Sequence, residues 1–109
     1  MAKHSVYQIR KANRELASLS VFYGISDAFS QATARQAFRE GKYEKTADVE
    51  ANSNDHVKTL INDNRSSPLI LRTGLLRNIS VGDLINNLET NQWFIVGPNG
   101  YDLIKIKAK

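Results

Sequence analysis

The sequence predicts an α+β fold: a mainly antiparallel sheet of four to five strands, with one long helix and one or two short ones. Three observations predict it. Several short stretches alternate apolar and polar residues with period two, which is typical of half-buried strands. One alanine-rich stretch, residues 26–40, contains neither Gly nor Pro and has the length of a helix. Hydrophobic residues make up 41% of the 109 residues, which suits a single domain over residues 1–109.

The first third of the chain predicts two strands and the long helix. Residues 6–10 and 19–23 both alternate, and a hairpin between them is the simplest pairing. Ser26 is a good helix N-cap, and Gly41 suits the left-handed position that follows many helices. We therefore predict the long helix over residues 26–40.

The middle of the chain predicts a strand, a short helix and an apolar segment. Residues 43–51 alternate with one charged face, so a half-exposed strand is expected. Its other face would carry Tyr43, Lys45, Ala47, Val49 and Ala51. Residues 55–62 predict a short helix that follows the polar run 52–55. Its buried side would consist of Val57, Leu60 and Ile61. Residues 69–71 form either a short strand or an anchored loop.

Ser80 and Asp83 have the spacing of a helix capping box, in which side chains bind free backbone N–H groups. This spacing predicts a short helix that turns Leu84, Ile85 and Leu88 inward. The alternative for the same pair is an anion-binding site, because free N–H groups at a helix N-terminus favour anions.

The last segment predicts a closing hairpin. Strands over residues 92–96 and 101–106 flank a Gly-Pro-Asn-Gly turn. Trp93 and Phe94 are adjacent, so they point to opposite faces of their strand. One of them would meet a covering helix, and the other would anchor a partner protein or a second copy of the chain. The alternative is a sheet that is covered on both faces.

Several of these segments, taken in order, resemble a small domain found in phage and mobile-element proteins of unassigned role. The segments are a helix end and strand over residues 38–50, a short helix over 55–62, the Ser80-Val81-Gly82-Asp83 run, and the aromatic strands at 93–96 and 100–104. The resemblance covers roughly residues 34–106. The resemblance implies a phage or mobile-element context, and it implies no particular activity.

Basic residues concentrate towards both ends of the chain, and the formal net charge is +4. Near the first strand they interleave with aromatic residues: Tyr7, Arg10, Lys11 and Arg14. Near the last strand, Tyr101 is followed by Lys105 and Lys107. Phosphate contacts together with base stacking would suit single-stranded nucleic acid. The alternative is core aromatics with a charged rim.

The residue types indicate no catalytic chemistry. There is no cysteine, and the two histidines, His4 and His56, have no further ligands at a metal-binding spacing. No Gly-x-Ser-x-Gly motif is present. We therefore predict a protein that is not an enzyme, with no cofactor and no metal. No apolar run approaches the ~20 residues of a membrane span, which predicts a cytoplasmic protein without a membrane partner.

Two functions remain as hypotheses. The first is a phage-type accessory protein that binds a host or antiviral-defence protein stoichiometrically, for example as its inhibitor in the host cytoplasm. The alternative is a nucleic-acid-binding module that uses the basic terminal regions. Seven residues are the candidates for binding: Trp93, Phe94, Tyr101, Tyr7, Arg10, Lys11 and Arg14.

Overall fold

The computed structural model describes residues 2–9, 27–97 and 100–106, which form one antiparallel sheet with two helices. The strands lie in the order β3-β2-β1-β4-β5-β6. The α+β class is confirmed, and the six strands exceed the four to five predicted. In chain order the elements are β1 (Ala2–Ile9), α1 (Asp27–Arg39), β2 (Tyr43–Ala51), α2 (Asn54–Asp63), β3 (Ile70–Arg72), β4 (Leu84–Asn87), β5 (Gln92–Gly97) and β6 (Gly100–Ile104).

The strand β1 lies inside the sheet, between β2 and β4. Its Val6 lies opposite Ala47 on one side and Ile85 on the other, and all three side chains are fully buried. The partners of β1 are therefore distant in sequence. The predicted hairpin partner at residues 19–23 lies outside the described residues.

The sheet carries a helix on each of its faces. The face under α1, here called the α1 face, holds a core of seven buried residues: Ile9, Ala34, Tyr43, Leu84, Trp93, Ile95 and Ile104. The opposite face, the α2 face, holds a second core that includes Val6, Val49, Val57, Leu60, Ile61 and Ile85. Each face of the sheet therefore carries a helix, but the α2 face stays open near the end of β6, where Leu103 is 59% exposed opposite Phe94.

The end of α1 and the start of α2 lie at the predicted signals, whereas Ser26, the predicted N-cap of α1, lies outside the described residues. Gly41 adopts a φ of 74°, and its N–H donates to Phe38 O at 3.1 Å while Lys42 N–H donates to Ala37 O at 2.9 Å. These two bonds form a Schellman motif, which satisfies carbonyl groups at the end of α1. Ser53 caps α2 by accepting from His56 N–H at 3.1 Å. The buried side of α2 is the predicted one: Val57, Leu60 and Ile61.

The strand β2 is confirmed, but its predicted face is wrong. Tyr7 lies opposite Lys45 and Val6 lies opposite Ala47, so Thr46 is one extra residue in β2. A bulge of this kind shifts the alternation of the residues beyond it. Tyr43 and Lys45 therefore lie on the α1 face. The later residues of the predicted set, Ala47, Val49 and Ala51, belong to the core of the α2 face.

The helix predicted after Ser80 is absent, because the residues that follow it form β4. Asp83 N–H donates to Ser80 O at 3.1 Å, and Gly82 has a φ of 95°, which is the geometry of a type II turn. The turn leads directly into a strand whose Leu84 and Ile85 are buried on opposite faces. A strand buried on both faces shows no alternation, so its apolar run is easily taken for a helix. Leu88 was expected to face inward and is 46% exposed.

Residues 69–71 were predicted as either a short strand or an anchored loop, and the structure shows a strand; the closing hairpin is confirmed. Residues 69–71 contribute to β3, which pairs with β2 through Ile70 opposite Val49. The closing hairpin is formed by β5 and β6, which pair from Trp93–Ile104 to Gly97–Gly100. No helix in the described part of the chain is long and apolar enough to span a membrane.

Candidate functional site

A cluster of aromatic rings fixes α1 on its face of the sheet. Phe38 of α1 packs edge-on against Trp93 of β5, with ring centroids 5.1 Å apart, and against Tyr7 of β1 at 5.5 Å. The rings of Tyr7 and Trp93 are themselves 5.1 Å apart. Edge-on pairs of this kind stabilise beyond the apolar area that they bury. The cluster therefore holds the C-terminal half of α1 against the strands β1 and β5.

This placement opens a groove between α1 and the end of β6. Two adjoining cavities of about 520 and 420 Å³ form it, and both are lined by Arg35, Lys105 and Ile106. We call it the basic groove and define it by six of its lining residues: Arg35, Arg39, Trp93, Leu103, Lys105 and Ile106.

The charged side chains of the basic groove are all cationic. Arg35 and Arg39 are four residues apart, so they lie on neighbouring turns of one face of α1, and Lys105 follows β6. Neither Arg35 nor Lys105 forms an ion pair with a carboxylate of the described residues. The ion pairs of this part of the chain join Lys42 to Glu40 and Lys45 to Asp48.

The carboxylate next to Arg39 is already occupied. Glu40 accepts from Lys42 Nζ at 2.9 Å and from Gln36 Nε2 at 2.8 Å. The hydrogen bond from Lys42 is the main cause that lowers the pKa of Glu40, and Arg39 contributes least. Among the described residues, Glu40 is therefore engaged mainly by Lys42 and Gln36 and not by the cations of the basic groove.

The floor of the basic groove is apolar. Trp93 is 5% exposed and Ile104 is also buried, so both present only a small part of their surface to the groove. Leu103, the neighbour of Ile104 in β6, is 59% exposed and lies on the other face of the strand. The arrangement is thus an apolar floor at Trp93 and Ile104, with the polar Asn91 and Gln92 beside it and cations at its rim. Such a floor excludes water and strengthens the electrostatic interactions at its border.

The two adjacent aromatics behave differently, as the alternation of a strand requires. Trp93 belongs to the core of the α1 face. Phe94 is half-buried and lies opposite Ile85 and Leu103, which places it on the α2 face. Trp93 is therefore the aromatic that meets a covering helix, and Phe94 is the more accessible of the two.

The other predicted binding residues have structural contacts or lie outside the described residues. Tyr7 is part of the aromatic cluster. Tyr101 donates its hydroxyl hydrogen to Asp55 Oδ1 at 2.9 Å and so ties β6 to α2. Partial burial, followed by this carboxylate, raises the pKa of Tyr101 above its ordinary value. Three predicted residues lie outside the described part of the chain: Arg10, Lys11 and Arg14.

The residues that define the rim of the groove were not among the predicted binding residues. Arg35 and Arg39 are visible in the sequence as a basic pair with helical spacing, and Lys105 as part of a basic tail. The sequence does not show that they converge, because α1 and β6 meet only through the strand order of the sheet.

The Ser80–Asp83 pair has a structural role in the turn before β4. Asp83 is 2% exposed, and its Oδ2 accepts from Ser80 N–H at 2.9 Å and from Gln8 Nε2 at 3.0 Å. The alternative of an anion site is wrong, because a buried carboxylate already occupies the Ser80 N–H group and would repel an anion. Tyr43 strengthens the same turn by donating to Gly82 O at 2.6 Å, and burial raises the pKa of its hydroxyl.

The histidines do not come together with other ligands. His4 is 1% exposed inside β1, and the imidazole Nδ1 of His56 accepts from Asn52 N–H at 3.0 Å. Within residues 2–9, 27–97 and 100–106, no three His, Cys, Asp or Glu side chains are placed to hold a metal ion.

Comparisons with protein-family models, with curated proteins and with solved structures found no match.

Proposed function

We propose that this protein acts by stoichiometric binding of another protein, and that the basic groove receives an acidic segment of that partner. The observation that carries the proposal is the convergence of Arg35 and Lys105, from two different elements, with no carboxylate of the described residues paired to either. Cations that border an apolar floor and are paired with no described carboxylate are suited to an external anion.

The residue types favour carboxylates as the recognised groups. Arginine presents a planar fork of N–H donors that can bind a carboxylate through two parallel hydrogen bonds. Arg35 and Arg39 supply two such forks on one side of the groove, and Lys105 supplies a point charge on the other. Apolar side chains of the partner would be buried against Ile106, which lines both cavities of the groove. The expected partner segment therefore combines acidic and apolar residues.

The resemblance to a phage and mobile-element domain supplies the biological context of the proposal. In that context the protein is a phage-type accessory protein, and its partner is a host or antiviral-defence protein in the host cytoplasm. Inhibition of that partner is the consequence we propose for the binding.

Nucleic acid is the second candidate, because the same three cations could contact phosphates. Single strands are usually held by aromatic rings that stack on bases in addition to cations. The described aromatics near the groove are packed into the core, since Tyr7 and Trp93 contact Phe38. Tyr101 is tied to Asp55. This use of the rings favours a protein partner over nucleic acid.

A capture experiment with matched variants tests the proposal. Immobilised wild-type protein is exposed to host lysate, beside a variant with Arg35→Glu and Lys105→Glu. A control variant carries Lys58→Glu and Arg72→Glu, which lower the net charge by the same amount through exposed side chains on α2 and β3, away from the groove. We expect a protein captured in equimolar amount by the wild type and the control, and at least tenfold less by the double variant, because reversed charges repel an acidic segment.

Two results would contradict this expectation. Equal capture by all three proteins would show that the basic groove is not the docking site. Recovery of nucleic acid alone, with an apparent affinity that falls steeply as salt is raised, would favour the second candidate.

A further inference from the structure

We infer that the partner segment binds as an extended strand that pairs with the outer edge of β6. This inference rests on the proposed function and specifies its binding mode. β6 is the last strand in the sheet order, and no strand of the described residues pairs with its outer edge. An edge strand presents unpaired N–H and C=O groups, which are a template for a strand from another chain.

The two edges of the sheet differ in how well they could receive such a strand. β3 has three residues, and the chain beyond it folds onto β2 through Thr73 N–H and Gly74 N–H, which both donate to Thr46 O. Very short edge strands are one way in which proteins avoid pairing with other chains. β6 has five residues and pairs with β5 without a bulge. The edge at β6 is therefore the more suitable one.

The faces of β6 determine which side chains an added strand would need. Ile104 lies opposite Trp93 on the α1 face, and Leu103 lies opposite Phe94 on the α2 face. Alternate residues of an added strand would follow the same faces. Those on the α1 face would come beside Arg35 and the other cations of the groove. Those on the α2 face would come beside the exposed Leu103. The occupant is therefore a segment that alternates acidic and apolar residues.

One acidic side chain of β6 fixes where the acidic residues of this segment belong. Asp102 lies opposite Ile95, which places it on the α1 face near the closing turn. A carboxylate of the partner beside Asp102 would be repelled. The acidic residues are therefore expected at the end of β6 that leads to Lys105, and neutral ones near Asp102.

The test uses octapeptides with the full-length protein. One peptide has valine at alternate positions, with glutamate between them in the half expected near Lys105 and glutamine between them in the half expected near Asp102. A second peptide carries lysine in place of glutamate, and a third has the first composition in two blocks. We expect the alternating acidic peptide to bind and to slow amide hydrogen exchange in β6 at least tenfold. We expect its affinity to fall about fivefold in Leu103→Ala, which removes an exposed apolar contact. Arg35→Glu should lower it at least tenfold, and methylation of alternate peptide nitrogens should abolish binding.

The outcomes separate this inference from the proposed function. Binding of the acidic peptides without slower exchange in β6, or no binding of the alternating peptide, overturns the strand-pairing mode. In either case the proposed function is decided separately by capture of the partner with the groove variant. Slower exchange in β6 that depends on protein concentration without peptide would mean that a second copy occupies the edge, and this also overturns the inference.

Discussion

At the residue scale, Trp93 and Phe94 illustrate how two neighbours of similar type acquire different roles. Trp93 is enclosed by Tyr7 and Phe38, whereas Phe94 is half-buried on the other face beside the exposed Leu103. The period of a strand is sufficient to predict that they separate. Which of them enters the packed aromatic cluster depends on the position of α1, which the sequence does not show.

We therefore expect Trp93→Ala and Phe94→Ala to differ strongly. Trp93→Ala should lower the free energy of unfolding by about 3–5 kcal/mol, because it leaves a cavity in the aromatic cluster. Phe94→Ala should leave the protein folded and weaken partner capture. Urea unfolding measures the stability of both variants, and a capture assay measures partner binding. Unfolding is followed by far-ultraviolet circular dichroism, because Trp93 is the single tryptophan and its removal abolishes the tryptophan fluorescence signal. Equal destabilisation by the two variants, with unchanged capture by Phe94→Ala, would contradict this assignment.

His4 gives the protein a dependence of stability on pH. Burial is the largest cause that lowers the pKa of this imidazole below 6.5, despite the backbone carbonyl of Ala2 near its Nδ1. The unfolded chain then binds a proton at a higher pH than the folded protein does. Stability is thus fully present above about pH 6.5 and declines as the pH falls through the lowered pKa.

We expect the free energy of unfolding to decrease between pH 7.5 and pH 5.5, in a range where most carboxylates keep their charge. In His4→Gln this decrease should be smaller, because the substituted side chain does not titrate. Urea unfolding at several pH values measures the slope. An identical slope in the variant would assign the pH dependence to other groups.

At the scale of elements, the end of α1 is among the features that the sequence predicts best. A Gly directly after an alanine-rich helix usually marks a left-handed C-cap, and Gly41 indeed adopts the left-handed conformation. A β-carbon at this position would meet no atom within 4 Å, so the cost of a substitution is conformational and not steric.

Gly41→Ala should therefore lower the free energy of unfolding by about 1 kcal/mol, whereas Gly41→Asn should lower it by clearly less, because asparagine tolerates the left-handed region. Urea denaturation of the two variants beside the wild type provides the comparison. Equal losses in both variants would indicate that the side chain of residue 41 meets an obstacle.

The elements that the sequence predicts less well have identifiable physical reasons. The bulge at Thr46 changes which face the preceding residues occupy, and bulges have no strong sequence signal outside glycine. β4 is short and buried on both faces, so Leu84 and Ile85 show the apolar run that a helix would also show. The Ser80–Asp83 spacing suits a capping box and a tight turn equally, and Gly82 decides between them through its positive φ.

At the scale of the whole molecule, the class of fold follows from the sequence, whereas the candidate site requires the strand order. Arg35 and Lys105 converge only because the C-terminal half of α1 packs over the edge of the sheet that β5 and β6 form. Local periodicity contains no information on that order. The phage context and the identity of the partner stay predictions.

The positive rim of the groove predicts how association with the partner responds to salt. Raising sodium chloride from low to physiological concentration should slow the association rate by about tenfold, because screening shortens the range over which opposite charges attract. The dissociation rate should change less, since the apolar floor contributes to it. Stopped-flow or surface-based kinetics can separate the two rates. A salt effect confined to dissociation would argue against electrostatic steering by the rim.

The interior position of β1 also has a consequence for the way the chain folds during synthesis. The ribosome delivers β1 before either of its neighbours, and its ladders join Val6 to Ala47 and to Ile85. Contacts between such distant residues slow folding, because a long loop must close before they form. One edge of this central strand therefore stays open until β2 has emerged, and the other stays open until β4 has emerged. In that interval the nascent chain is most exposed to aggregation and to chaperones.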